Sequence, residues 1–478
     1  MHRRIIALII ALVLWTGVGY AESAPPPEVE TAFMQAATAF EWGDYEGAAA
    51  LLTDAMLLAP ENPEYRYFRA LAYQAMGNIS AALMDQGISL AQLGHPDIYA
   101  SRAQLLLLEE RYSEALQDIE KTLEQSSPSE NAYYMAAYVR SMMGDHAEAL
   151  VLVEEGLAKF PDSAGLLSTK GIVLYRQGEF EQALENYQAV LNAGIEAAMV
   201  YYNIAESLFM LGRDEEAQTA AEKAAALGGT ASSKKSAEEN YQIVLKETAP
   251  IAPEEKAATA EKLQAEGIKL LEDGQYEQAL ELLLAAIDLM PGNAEWYEQC
   301  GDAYCGIKDY ERAGEYYAFA LPEIQNPLAL YGKIIDTLQK SGKTADEAAM
   351  WGYLSAMLPD DAMLHNNYAF ALRVSQKPEK ALQEYDRAIE LDGEIALYYG
   401  GRADLLMDMQ RYAEAEEDYK RCIALDPTDE MAKITLQICL SLQGKESEIN
   451  ADAFADDASI VLATPAASVA PEEAHAAE

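Results

Sequence analysis

Cysteine is scarce in this chain, with four residues in 478, so a disulfide framework does not hold the fold together. Cys300 and Cys305 lie five apart on one predicted helix. Their side chains therefore point about 140° apart, which argues against a bridge between them. Cys422 sits in an alanine-like packing slot and Cys439 on the helix that follows, so a bridge and a pair of buried free thiols both remain open. Histidine is rarer still relative to what metal chemistry needs. The five residues at 2, 95, 146, 365 and 475 include no pair at ligand spacing. There is no H-E-x-x-H, no C-x-x-C, no phosphate-cradling G-x-x-x-x-G-K-[ST] and no calcium loop. Neither a cofactor nor a metal is expected. Basic residues are also few, 34 Lys and Arg against 79 Asp and Glu, for a formal charge of −45. Such a field repels nucleic acid and anionic lipid. It suits solubility, and it leaves basic proteins as partners that the charge favours.

Long apolar runs are missing except at the start, where Ile5 to Trp15 follows Arg3 and Arg4. Gly19 and Ala21 are small residues three and one before a cleavage point, and ESAPPP follows. Residues 1–21 therefore read as a secretory signal peptide, with cleavage expected after Ala21. The alternative is an uncleaved N-terminal anchor, the one case in which the chain would be tied to a membrane. Residues 446–478 contain eleven alanines, eight acidic residues and no Lys or Arg, a composition that does not build a core.

What the sequence has in abundance is rhythm. Ala48, Ala82, Ala115, Ala149, Ala183 and Ala217 stand 34, 33, 34, 34 and 34 apart, and Ala279, Ala313, Ala381 and Ala415 carry the series on. A fixed period in this range means stacked repeats. Within each period apolar residues recur at three- and four-residue spacing on both sides of one slot, so each unit reads as two helices. That slot is glycine at 43, 77, 144, 178, 212, 274 and 342, as suits a left-handed helix end. Two residues on comes a ring, as at Tyr45, Tyr112, Phe180, Tyr276, Tyr310 and Tyr412. The alanine stands three further on, where only a small side chain lets two helices cross closely. Pro60, Pro161, Pro291, Pro359 and Pro427 close their units.

In these residues the chain resembles the tetratricopeptide repeat over roughly residues 28 to 445. Tyr297, Gly301, Tyr304, Tyr310, Ala313, Tyr317 and Ala320 fill the family positions of the eighth unit. In the eleventh, Tyr399, Ala403, Leu406, Tyr412, Ala415, Tyr419 and Pro427 do so. The ninth unit slips phase by about one residue, the tenth has Pro378 in the ring slot, and the sixth has Asp214 there. The resemblance implies an all-α solenoid of about eleven helical hairpins, wound as a right-handed superhelix with lone capping helices.

The phase breaks once, because Ala217 to Ala279 is 62 residues, six short of two periods. In that interval Ala237, Tyr241 and Val244 or Leu245 form one face of a single helix, which suits a cap on the sixth hairpin. Pro250 and Pro253 follow it. The expected organisation is a signal peptide (1–21), a linker (22–28), a first array of six repeats plus cap (29–247) and a hinge (248–255). A second array of five repeats plus cap (256–445) and an acidic tail (446–478) complete it. One continuous superhelix with an irregular turn is the alternative.

No catalytic constellation stands out, and a solenoid offers a concave surface rather than an active site. In this family certain residues of each first helix line the groove. Carried over unit by unit, the first array places Phe33, Phe40, Tyr67, Tyr134, Tyr138, Met142, Tyr175, Tyr202, Phe209 and Met210 there. Of these, Tyr67, Tyr134, Tyr138, Tyr175, Tyr202 and Phe209 are the candidate ligand-facing rings, since tyrosine offers apolar area plus a hydroxyl. The second array places Glu295, Glu298, Asp302, Asp336, Asn366, Arg373, Asp404 and Asp408 on its equivalent face. The basic set with which chaperone-binding repeats hold a terminal carboxylate is missing around Asn203, Asn366 and Asn367. The reading is an exported, non-enzymatic scaffold that binds protein partners or extended peptides along its groove. A structural role in an envelope assembly, and an accessory that positions a glycan for an envelope enzyme, remain open beside it.

Overall fold

A computed structural model describes residues 27–230, 232–247, 253–324 and 326–445. The expected signal peptide, most of the hinge (248–252) and the acidic tail lie outside the described residues. Those described are all helical, with 24 α-helices, one short 3-10 turn and no strand. They form two compact units, one ending at Met350 and one beginning at Trp351.

Eleven hairpins and two lone helices account for every α-helix. The first six are α1 (Pro27–Trp42) with α2 (Tyr45–Leu58), α3 (Pro63–Met76) with α4 (Ile79–Leu93) and α5 (Pro96–Leu108) with α6 (Tyr112–Leu123). After them come α7 (Glu130–Met142) with α8 (His146–Lys159), α9 (Ala164–Arg176) with α10 (Phe180–Asn192) and α11 (Ala198–Met210) with α12 (Asp214–Ala226). The lone α13 (Lys234–Glu247) follows. Five further hairpins are α14 (Pro253–Glu272) with α15 (Tyr276–Leu289), α16 (Ala294–Gly306) with α17 (Tyr310–Ala320), α18 (Leu328–Lys340) with α19 (Thr344–Met357), α20 (Ala362–Val374) with α21 (Pro378–Leu391) and α22 (Ala396–Asp408) with α23 (Tyr412–Leu425). The lone α24 (Glu430–Leu442) ends the series.

Local chemistry sets these boundaries. Asn62, Asn78, Asn293 and Asp429 accept a backbone N–H of the first helical turn through their side chains. Pro63, Pro96 and Pro378 occupy first-turn positions, where no hydrogen bond is lost. The turn slot is left-handed in all eleven hairpins: seven are the expected glycines, and Glu110, Lys308, Gln376 and Gln410 adopt φ of 58 to 66° in the other four. The turn geometry is thus imposed by the hairpin, and glycine is its cheaper occupant.

Every periodic alanine from Ala48 to Ala415 is fully buried. In the ninth hairpin the buried residue is Ala348, 35 after Ala313 and 33 before Ala381, which is the one-residue slip. Rings close over small residues elsewhere: a Cβ on Gly301 would lie 2.4 Å from the Tyr317 ring. All four cysteines are free thiols, and Cys422 and Cys439 share an apolar cluster with Ala403, Leu406, Ala415 and Tyr419 without bridging. Burial pushes the Cys422 thiol up to about 11.

In the unit that ends at Met350, second helices of repeats two and three pack on second helices of repeats seven and eight, α4 against α17 and α6 against α15. The sequence explains why this is possible. Ten consecutive residues of α4, Ala81 to Leu90, are buried, and so are eight of α17, Ala313 to Ala320. A helix buried all round has partners on every side. Gly87 lets the backbones approach, because a Cβ there would stand 2.4 Å from the Ala318 carbonyl oxygen. Several charged groups around this contact are paired. Asp85, wholly buried, accepts two 2.8 Å hydrogen bonds from Arg69, whose guanidinium also reaches Thr53 at 2.8 Å and Asp346. Arg102 donates two 2.7 Å bonds to Asp118 and lies 3.9 Å over the Phe319 ring. Arg111 pairs with both Glu114 and Glu315. Ser113 donates to the Asp288 carbonyl at 2.6 Å.

Candidate functional site

The first helices of the first array carry the expected rings, and their register is regular. Tyr67, Tyr134 and Tyr202 each stand 15 residues before a periodic alanine (82, 149, 217), and Tyr175 and Phe209 each stand eight before one (183, 217). Equal offsets put side chains on equal faces of successive hairpins.

Tyr67 on α3 is half-buried, 5.6 Å from the Phe68 ring, and burial pushes its hydroxyl up to about 12. Tyr134 and Tyr138 are neighbours one turn apart on α7, both half-buried, and burial with the adjacent Tyr138 raises the Tyr134 hydroxyl. Phe33 and Phe40 are core residues, the first against Tyr65 and Phe68 and the second against Tyr45. Phe209 is also buried, in a cluster with Ala205, Leu208, Ala217, Ala220, Ala221 and Ala237.

Tyr175 and Tyr202 are brought together around one carboxylate. Glu206 on α11 is 4% exposed and accepts from Tyr175 at 3.5 Å, from Asn240 at 3.3 Å and from Ser232. Asn240 donates to the Tyr202 hydroxyl at 3.0 Å as well. Burial, together with Glu206, raises the Tyr175 and Tyr202 hydroxyls. Tyr241 completes the cluster, edge-on to Tyr175 at 5.7 Å and to Phe180 at 5.2 Å. Ser232, Asn240 and Tyr241 belong to α13 and its lead-in. The lone helix thus lies on the first-helix side, against α11 and α9, and reaches over the rings of repeats five and six. Sequence reasoning expected α13 as a cap with Ala237 and Tyr241 inward. Both do face inward, while residues 244 and 245 of that face lie outside the described side chains. Its reach across two repeats had no signal in the sequence.

The equivalent face of the second array pairs its charges internally. Lys333 binds Asp302 at 2.5 Å and Glu298 at 2.8 Å, and the Tyr317 hydroxyl donates to Asp302 at 2.7 Å. Lys340 reaches Asp336 at 2.5 Å, with Asn366 buried and Glu295 contacted by Gln299 at 3.4 Å. In the unit after Trp351, Arg373 reaches Asp408 at 2.5 Å and Asp404 at 3.4 Å, and Tyr419 donates to Asp404 at 2.7 Å. His365 is buried with its ring nitrogens on Glu384 at 2.7 Å and the Pro359 carbonyl at 3.1 Å. Among the described residues no group of three His, Cys, Asp or Glu side chains is arranged to hold a metal, and no helix is long and apolar enough to cross a membrane.

Comparison with known proteins agrees with this architecture. Tetratricopeptide-repeat profiles match residues 168–233, 265–326 and 396–429. Hsp70-Hsp90 organizing protein 1 of Glycine max is 32% identical over 124 residues, 25% of this chain and 20% of that protein. TPR repeat-containing protein MJ1428 of Methanocaldococcus jannaschii is 21% identical over 416 residues, 84% of this chain and 65% of that one. The chain thus spans about a fifth of the first relative and about two thirds of the second. Among solved structures, the P58(IPK) TPR domain matches 88% of this chain and 99% of its own at 17% identity, with a TM-score of 0.23. With eleven hairpins in phase, a left-handed turn in each and a buried alanine at each crossing, the chain is built of tetratricopeptide repeats, which the profiles match at residues 168–233, 265–326 and 396–429.

Proposed function

We propose that this protein is an exported scaffold that binds segments of protein partners along the first-helix face of its N-terminal array. The observation that carries the reading is the row of half-buried tyrosines on successive first helices, Tyr67, Tyr134, Tyr138, Tyr175 and Tyr202. Each offers a ring face for apolar contact and a hydroxyl for a backbone group, which is how extended peptides are held. The charge of −45 favours basic partners and opposes nucleic acid. Export rests on residues 1–21, whose charged start, apolar run and small residues before position 22 make a signal sequence.

The test is site-specific crosslinking in the cells that make the protein. A photoreactive phenylalanine analogue at Tyr138 should give adducts with a protein partner. The same group at Gln188, exposed on the second helix α10, should give none. Adducts from Gln188 and none from Tyr138 would place the partner on the opposite face and end this reading. Mass measurement of the mature chain should find it beginning at Glu22. A chain beginning at Met1 would contradict export by cleavage.

A further inference from the structure

The lone helix α13 lies on the first helices α11 and α9, and touches α12 through Ala237, which joins Ala217, Ala220 and Ala221, and through Lys234, 3.1 Å from Asp214. Of its side chains from Lys234 to Gln242, only Ala237 is buried. Ser236, Asn240 and Tyr241 are half-buried and the rest are exposed. By contrast α12 buries four residues and α11 seven. Over residues 234–242 little apolar surface is covered, so opening of this stretch should cost less than opening of the hairpins beneath it.

Its contacts are specific nonetheless. The Tyr241 ring stands edge-on to Tyr175 and Phe180, and its hydroxyl reaches toward the turn at Gly178. The Asn240 amide donates to Tyr202 and Glu206. Glu206 is nearly wholly buried, yet its partners Tyr175, Ser232 and Asn240 are all neutral, and among the described residues it forms no ion pair. A buried carboxylate ringed by Tyr175 and Tyr202 is a receptor for a cation, since a charge-assisted bond there is stronger than the amide's and the ring faces add to it.

We propose that the groove over repeats five and six is a docking site for a helical partner segment bearing an aromatic residue next to a lysine or arginine, and that α13 holds this site closed until such a segment displaces it. This rests on the reading of the first-helix face as the binding surface. It adds the chemistry recognised and the internal competitor. The two neighbouring side chains that α13 supplies, Asn240 and Tyr241, define the template. The net negative charge draws basic segments toward it.

The test uses the full chain and two labelled synthetic peptides of residues 232–247, one with the natural sequence and one with Asn240→Arg. Binding is read by fluorescence anisotropy. The Tyr241→Ala chain should bind the natural peptide at least tenfold tighter than the unaltered chain does. The Asn240→Arg peptide should bind the Tyr241→Ala chain tighter still, and Glu206→Gln in that chain should erase this gain. Failure of the opened chain to bind either peptide would overturn the proposal. A second measurement on the unaltered chain keeps the test decisive if Tyr241→Ala disturbs folding. Amides of 234–242 should exchange hydrogen at least tenfold faster than those of Ala198–Met210. Equal protection would make α13 an integral cap and end the proposal. Neither experiment touches Tyr134 or Tyr138, so it can fail while the groove reading stands.

Discussion

Replacing Gly87 by alanine probes the contact that joins repeats two and eight. The added Cβ would stand 2.4 Å from the carbonyl oxygen and 2.7 Å from the carbonyl carbon of Ala318, both backbone atoms of α17. Ordinary contact of this kind needs about 3.3 Å or more, so one helix must retreat by roughly 1 Å. Overpacking of this size costs about 1–3 kcal/mol. Against it stands a gain of about 0.5–1 kcal/mol, because alanine loses less backbone freedom in a helix than glycine. The expected net loss is about 1–2 kcal/mol, or a few degrees in the melting of the unit that ends at Met350. Two other glycines calibrate the effect. Gly332→Ala meets nothing within 4 Å and should stabilise by about 0.5–1 kcal/mol. Gly314→Ala meets the Met84 sulfur at 2.9 Å, a flexible chain end that can swing aside, and should be nearly neutral. Hydrogen exchange should show α4 and α17 loosening together in the Gly87 variant. If Gly87→Ala proves as stable as Gly332→Ala, the helices do not meet as described.

Three further outcomes follow from the same structure. Gln410→Gly and Lys308→Gly, at φ of 60 and 66°, should each raise stability by about 0.5–1 kcal/mol in urea unfolding, because they remove a side chain from a left-handed turn. Arg102→Leu strands the buried carboxylate of Asp118 and should cost about 3–5 kcal/mol, whereas pairing it with Asp118→Leu should recover most of the loss. Lys420 and Lys445, hydrogen-bonded to Glu416, hold its carboxyl down at about 2. That depressed value stabilises the folded chain fully above the ordinary carboxylate value of 4.5, and the contribution is lost as pH falls through that window toward 2. Glu416→Gln should therefore flatten the acid slope of melting between about pH 5 and 2 relative to the unaltered chain.

The hairpin fold was legible because its geometry repeats along the chain. A helix that must end, turn and cross its partner closely leaves glycine, ring and alanine at fixed offsets. Glu110, Lys308, Gln376 and Gln410 escaped notice because the turn tolerates a costlier residue in the same slot. The packing of α4 on α17 was not legible, since periodicity reports neighbours in sequence, and these helices are more than 200 residues apart. In sequence Asp85, Gln86 and Ser89 give α4 a polar face that reads as wetted, yet all three are buried. At the site, the register of Tyr134 and Tyr202 could be read from the offsets. That α13 would lie over Tyr175 and Tyr202 could not, because hydrophobic pattern says which face of a helix is buried and not on what.

The central claim is that the tyrosine row binds a partner. It is tested most directly by titrating the partner segment recovered from the Tyr138 crosslink against the unaltered chain and the Tyr134→Ala/Tyr138→Ala variant. The account predicts a Kd at least tenfold weaker for the variant, about 1.4 kcal/mol or more, with helicity and melting preserved. Asp336→Asn with Asp404→Asn, on the charge-paired face, should weaken binding less and mainly at low salt. An unchanged Kd for the folded tyrosine variant would contradict the claim.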